Sequence, residues 1–273
     1  MTVRSLTDCT CPQYEYGWRD PAWSPQGNYV AYVGENAYPP IYELWEYVHV
    51  QRPDGQPADW PYFGLSGEVS HPAWAPDESR MVLVVNGGLL AQTKEGEEIP
   101  LTGASEYAYT EPAWSPDGST LACTREGNIW LLAATGGPGT QLTTAGGHSP
   151  SWSPDGAFIT YAGSDGFVYI IPVVGGSPRR LLAGGDPAWS AGGTWIAFVN
   201  GELWVTAATG GTPVQLTSDG KSKAQPTWSP DGRSIAYTEY GTYCSCIRIL
   251  SDLPDFRLSV STRTWGAIKS FYR

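Results

Sequence analysis

Apolar residues along this chain come in short bursts, each broken by clusters of Gly, Pro, Asp, Asn or Ser. Bursts of that length predict strands rather than helices. The segment Glu111 to Thr143, EPAWSPDGSTLACTREGNIWLLAATGGPGTQLT, shows the pattern whole. Strands are predicted over 112–115, 121–124, 129–133 and 141–143. Pro116-Asp117-Gly118 forms the first turn: proline presets φ, aspartate bonds the backbone ahead, and glycine takes the left-handed conformation. Gly127-Asn128 and Gly136-Gly137 supply the next two turns. Four antiparallel strands result.

The unit recurs. Pro-x-Trp is written six times, with tryptophans at Trp23, Trp74, Trp114, Trp152, Trp189 and Trp228. A period of about 40 residues is the mark of a propeller, one blade per repeat. The expectation is an all-β fold: one six-bladed β-propeller of four-stranded antiparallel blades covering residues 1–273. Its blades start near 20, 71, 111, 149, 186 and 225, with terminal strands or tails at 1–18 and 252–273. The turn varies in three repeats: Pro25-Gln26-Gly27, Asp77-Glu78, and Ser190-Ala191-Gly192-Gly193 without proline. The tryptophans are expected to pack blade against blade.

PAWSPDG, a following Ile-Ala-aromatic second strand, an aromatic third strand and a closing Leu-Thr recur in register. This combination resembles the TolB-like propeller repeats, from residue 19 to about 250. The resemblance implies a propeller that binds a partner, periplasmic in its setting.

Composition narrows the functions. The net charge of −11 argues against nucleic acid, whose phosphates are met by basic side chains. No apolar run approaches the ~20 residues that span a bilayer; 168–174 is strand-sized. The start, MTVRSLTDCT, lacks the apolar core of a signal peptide, so either the protein stays inside or the numbering describes a processed chain. G-x-S-x-G, the P-loop, H-E-x-x-H and the EF-hand pattern are all missing. Histidine occurs three times, as His49, His71 and His148. The expectation is a protein without catalytic activity.

One constellation repeats. The residue before each blade-starting proline is polar: Asp20, His71, Glu111, Ser149, Asp186 and Gln225. If the first strands line a central channel, these six form a ring at its mouth. Three carboxylates and a histidine there suit a divalent cation; a solvated rim without any cofactor is the plainer reading. A residue before proline is also expected to be extended. Repeat one carries extra aromatic and proline-rich sequence between Gly34 and Gly67, which serves either as a contact surface or as packing for its own blade.

Five cysteines remain. Cys123 stands where other repeats place Tyr32, Tyr161, Phe198 or Tyr237, and is expected to be buried and inert. Cys9-Thr10-Cys11 and Cys244-Ser245-Cys246 each put two sulfurs on one strand face. One antiparallel register sets Cys9 opposite Cys246 and Cys11 opposite Cys244, which predicts two disulfides; a zinc site with four cysteine ligands and free thiols are the alternatives. Two segments compete to close the last blade, 4–7 and 256–259, and a spare strand binds edges. The leading expectation is an extracellular or cell-surface structural protein that binds protein partners, itself included, and assembles into oligomers or filaments through terminal strands and disulfides. A periplasmic TolB-like binding module and the accessory propeller of a channel-site enzyme are the alternatives.

Overall fold

A computed structural model describes residues 1–7, 15–38, 43–60, 67–103, 108–242 and 244–254. Among them every regular element is a strand. Near the N-terminus lie β1 (Thr2–Ser5), β2 (Glu15–Trp23), β3 (Val30–Tyr38) and β4 (Glu43–Gln51). The second repeat gives β5 (Val69–Trp74), β6 (Arg80–Val85), β7 (Gly88–Thr93) and β8 (Glu98–Pro100); the third, β9 (Tyr109–Trp114), β10 (Thr120–Arg125), β11 (Asn128–Ala133) and β12 (Thr140–Gln141). The fourth gives β13 (His148–Trp152), β14 (Phe158–Ala162), β15 (Phe167–Pro172) and β16 (Arg179–Ala183); the fifth, β17 (Gly185–Trp189), β18 (Trp195–Asn200), β19 (Glu202–Ala207) and β20 (Val214–Gln215). The sixth gives β21 (Ser222–Trp228), β22 (Ile235–Tyr240) and β23 (Ser245–Ser251).

Repeats two to five are each a separate four-stranded antiparallel sheet. The other strands share one seven-stranded sheet in the order β21-β22-β23-β2-β3-β4, with β1 also on β23. A single parallel pairing, Gly17 with Ser245, joins its two halves. Gly17 has φ 142°, and a Cβ there would strike the Ser245 side chain and backbone, so only glycine permits the join. The first strands β2, β5, β9, β13, β17 and β21 touch in succession, and β21 returns to β2. Between neighbouring sheets lie apolar clusters such as Ala73, Val82, Leu89, Trp114, Leu121 and Leu132.

The tryptophans tie these layers. The indole N–H of Trp74, Trp114, Trp152 and Trp228 donates to the carbonyl of Ala22, Ala73, Ala113 and Ala188 in the preceding repeat, at 3.0–3.1 Å. Trp189 and Trp23 depart from this. Their preceding repeats carry Ser151 and Thr227 instead of alanine, and those hydroxyls accept the tryptophan backbone N–H at 3.0 and 3.5 Å. The Trp189 indole turns to Gly193 O of its own turn (3.1 Å). The Trp23 indole N–H is buried with no partner among the described residues.

Repeats two, three, five and six are closed by the same device. Leu142 donates its N–H to Ile129 O at 2.8 Å, and Thr143 Oγ1 accepts the Ile129 N–H at 2.9 Å. Leu101-Thr102 does this on Leu89, and Leu216-Thr217 on Leu203. On Ile247 it is Leu6-Thr7, at 2.9 and 3.0 Å. The N-terminal segment therefore completes the last repeat, while the rival segment 256–259 lies outside the described residues.

The expected cysteine ladder lies beyond that clasp, in residues outside the described ones. Thr2 faces Ser251 and Ser5 faces Arg248, two residues out of step with a ladder that would set Cys9 opposite Cys246. Beyond Leu6 the edge of β23 passes to β2 through Ser245. Leu6 and Thr7 fix the register of β1 through their bonds to Ile247. Cys244 and Cys246 are disulfide-bonded; Cys9 and Cys11, their expected partners, lie outside the described residues. Cys123 is free and buried, and burial pushes its thiol up to about 12. In repeat one, Trp60 is buried against Trp74, ring centroids 4.6 Å apart, so this aromatic packs its own body. Tyr38, Pro39, Pro40, Ile41, Tyr42, Pro61, Tyr62 and Phe63 belong to segments whose side chains are outside the described residues.

Candidate functional site: the Xaa-Pro circuit and its funnel

All six first strands carry the same defect. In every first-to-second-strand ladder two residues, Xaa-Pro, stand opposite one. Xaa is Asp20, His71, Glu111, Ser149, Asp186 and Gln225 in turn. The single residues opposite are Tyr32, Leu83, Cys123, Tyr161, Phe198 and Tyr237. These are β-bulges, and proline suits them because it has no N–H to lose from the ladder.

The extended conformation expected before proline is not what forms. All six Xaa residues are left-handed, with φ between 46° and 56°. Proline disfavours the right-handed helical region for its predecessor, and a bulge whose first residue is left-handed turns the chain without a clash. Asp and His tolerate that conformation better than most residues.

The left-handed turn brings each Xaa against its neighbours. The Asp20 N–H donates to Gln225 Oε1 (3.1 Å), His71 N–H to Asp20 Oδ2 (3.0 Å), Ser149 N–H to Glu111 Oε2 (2.8 Å) and Gln225 N–H to Asp186 Oδ2 (3.0 Å). Ser149 Oγ lies 3.0 Å from Glu111 Oε1 and 3.1 Å from Asp186 Oδ1. Gln225 Nε2 donates to Asp20 Oδ1, and Thr124 Oγ1 to Glu111 at 2.6 Å. Side chains of one repeat thus satisfy backbone donors of the next.

Among the described residues, Asp20 alone of the three collar carboxylates is matched by a neighbouring guanidinium, that of Arg19 at 2.6 Å. Arg19 also reaches Glu46, whose other oxygen accepts the Val69 N–H at 2.6 Å. The sequence reading missed this strut between the first two repeats; an arginine just before the first bulge, found in no other repeat, was the available signal. His71 Nε2 is 3.9 Å from Asp20, and its Nδ1 is buried without a partner among the described residues. Among the described residues no group of three or more His, Cys, Asp or Glu comes close enough to hold a metal ion. The carboxylates face donors rather than a common centre.

The bulges bound a cavity of about 430 Å³. Its wall is the six Xaa-Pro pairs, the alanines after them, Trp23, Trp74, Trp114 and Trp152, and the turn prolines Pro25, Pro76 and Pro116. It is a funnel with a polar, hydrogen-bonded collar and an apolar wall running to the first-turn face. That face is acidic: Asp77, Asp117, Asp155 and Asp231 lie in four of the turns, all of them exposed. Hydrogen bonds from Ser115 and Ser119 hold Asp117 below the usual carboxylate range.

A closed circuit of first strands around one cavity, four of them each starting a separate four-stranded antiparallel sheet, defines a β-propeller. The model of the TolB beta propeller domain matches residues 88–264, and the chain belongs to that family. A solved structure described as putative TolB from Agrobacterium tumefaciens is 22% identical, with a TM-score of 0.64 over 70% of this chain and 80% of that one. TolB from Acinetobacter baumannii is 19% identical at a TM-score of 0.65, over 86% of this chain but only 61% of that protein. An oligogalacturonate lyase solved with manganese is 14% identical, TM-score 0.60, over 93% of each chain. At these identities the likeness is one of fold. No curated protein matches the sequence.

Proposed function

We propose that the chain is a non-catalytic, six-bladed propeller that works outside the cytoplasm and takes a protein partner on its first-turn face. On this reading the seven-stranded sheet is two blades, β2-β3-β4 and β21-β22-β23-β1, joined through Gly17. The observation that carries the reading is the funnel: a preformed recess, apolar-walled, on a backbone fixed by hydrogen bonds between repeats. Pre-organised sites bind without an ordering cost, and the TolB family resemblance favours a partner-binding role. A photo-crosslinking residue at Ser119, on the first-turn face, is expected to capture a protein in the producing cells. The same residue at Glu126, at the other end of β10, is expected to capture none. Equal capture from both faces would remove the reading.

A divalent cation at the collar is the subsidiary proposal that the hydrogen bonds count against. Millimolar Ca²⁺ is expected to leave the melting temperature unchanged; a rise that vanishes when Asp20, Glu111 and Asp186 are all replaced by Asn would restore the cation. Self-association through a spare terminal strand would have to use 256–259, since β1 already occupies the edge of β23. A channel-site enzyme would have to work around His71, the one imidazole in the collar.

A further inference from the structure

The six tryptophans are not equally covered, and the reason is one position in the repeat. The residue two after the turn glycine, or after Glu78 in the second repeat, is Tyr29, Arg80, Thr120, Phe158, Trp195 or Ser234. Tyr29 stacks on Trp74 of the following repeat, centroids 6.0 Å apart. Arg80 lies over Trp114 at 5.0 Å. Phe158 packs in one cluster with Trp189, and Trp195 against the cluster of Trp228. These four tryptophans are buried. Thr120 and Ser234 are too short to cover Trp152 and Trp23, and those two remain half-buried, both facing the funnel.

Arg80 shows what such a seat holds. Its guanidinium lies over Trp114 in a cleft that Asp77 and Asp117, the aspartates of two successive turns, also line. In the next repeat the equivalent positions are held by Trp152, Asp117 and Asp155, with Thr120 in place of Arg80. The turns are equally spaced. A Cβ on Gly118 would lie 3.7 Å from Pro76, and one on Gly156 3.8 Å from Pro116. Asp155 already accepts from Ser153 and Ala157, as Asp117 does from Ser115 and Ser119, so both carboxylates are held in place. At Trp23 the preceding turn gives Asp231 but its own turn gives Gln26, which makes a seat with one charge fewer.

We infer that Trp152, Asp117 and Asp155 form an arginine seat, and that the partner segment entering this face carries an arginine stacked on Trp152 as Arg80 is stacked on Trp114. A guanidinium suits the place better than an ammonium, because its plane stacks on indole while its edge donates to carboxylates. The inference rests on the partner-binding reading and specifies the partner's chemistry.

The probe is the peptide acetyl-Gly-Gly-Arg-Gly-Gly-amide, with its citrulline counterpart as an uncharged match, followed by NMR of the indole N–H signals. The arginine peptide is expected to shift the Trp152 signal saturably at millimolar concentration, and the citrulline peptide to bind roughly tenfold more weakly. Thr120→Arg, which fills the seat from within, is expected to abolish the shift. Arg80→Thr is expected to open a second seat and make Trp114 respond as well. A wild-type protein whose Trp152 signal does not move, or a shift that survives Thr120→Arg, overturns the seat. Crosslinking from Ser119 that persists alongside such a failure leaves partner binding standing without the arginine. Peptide binding without any crosslinked partner leaves the seat standing and removes the partner reading.

Discussion

Replacing Leu6 and Thr7 together by alanine is expected to destabilise the protein by about 3–6 kcal/mol, a loss of roughly 10 °C or more in melting temperature. Leu6 is buried among Val30, Tyr32, Ala236, Ile247 and Ile249. Deleting such a leucine side chain costs about 2–5 kcal/mol, and removing the Thr7 hydroxyl, which leaves the Ile247 N–H unmet, costs ~1 kcal/mol more. The control is Leu216 with Thr217, which makes the same pair of bonds onto Leu203 within a single sheet. Both double variants should lose comparable stability in a denaturant melt. Only the N-terminal one should also make residues 1–7 cleavable by protease under native conditions, because those residues have no covalent turn to hold them on β23. If the Leu6/Thr7 variant melts like the wild type while the Leu216/Thr217 variant does not, the N-terminal strand is not what completes the last repeat.

Trp114→Ala is expected to cost a similar amount, about 3–5 kcal/mol. The indole fills the space between the second and third repeats, supports Arg80 and donates to Ala73 O. The sharper comparison replaces indole by phenyl, which keeps most of the packing and removes one donor. Trp114→Phe should lose ~1 kcal/mol beyond the change in buried area, because the Ala73 carbonyl loses its partner. Trp23→Phe should lose nothing on this account, since its buried N–H has no partner among the described residues to give up. Urea melts of the two variants side by side decide it. Equal losses would mean that the carbonyl bonds add nothing to the interface between repeats.

The sequence made the repeat legible because its signals are local. Pro-x-Trp, the Asp-Gly turn and the Leu-Thr close each act within a few residues, and each recurs at one period. The four strands read from residues 111–143 appear within three residues of their predicted ends. What failed was whatever depended on two segments meeting. The direction of the six Xaa side chains was hidden for the same reason: an extended residue and a left-handed one both satisfy a following proline, and only the one-residue deficit in the facing strand selects the second. In sequence, Ser151 and Thr227 are two small residues standing where the other repeats have alanine. Their hydroxyls instead redirect the indoles of Trp189 and Trp23, an effect one repeat away that no window of sequence displays. The candidate site was therefore half visible: the members of the collar could be named, but not their hydrogen bonds or the uneven cover over the tryptophans.

The six bulges also separate architecture from chemistry. Backbone geometry at the collar is set by the proline and by the facing strand, so six different surroundings yield nearly one φ value with Asp, His, Glu, Ser, Asp and Gln in the same place. None of these side chains is required for the bend. Each can be exchanged for another short polar residue at little cost to the bend, and each exchange alters the charge around the opening. The propeller thus behaves as a socket with six interchangeable contacts, in which a lineage can rewrite what the opening admits one position at a time while the frame around it stays as it is.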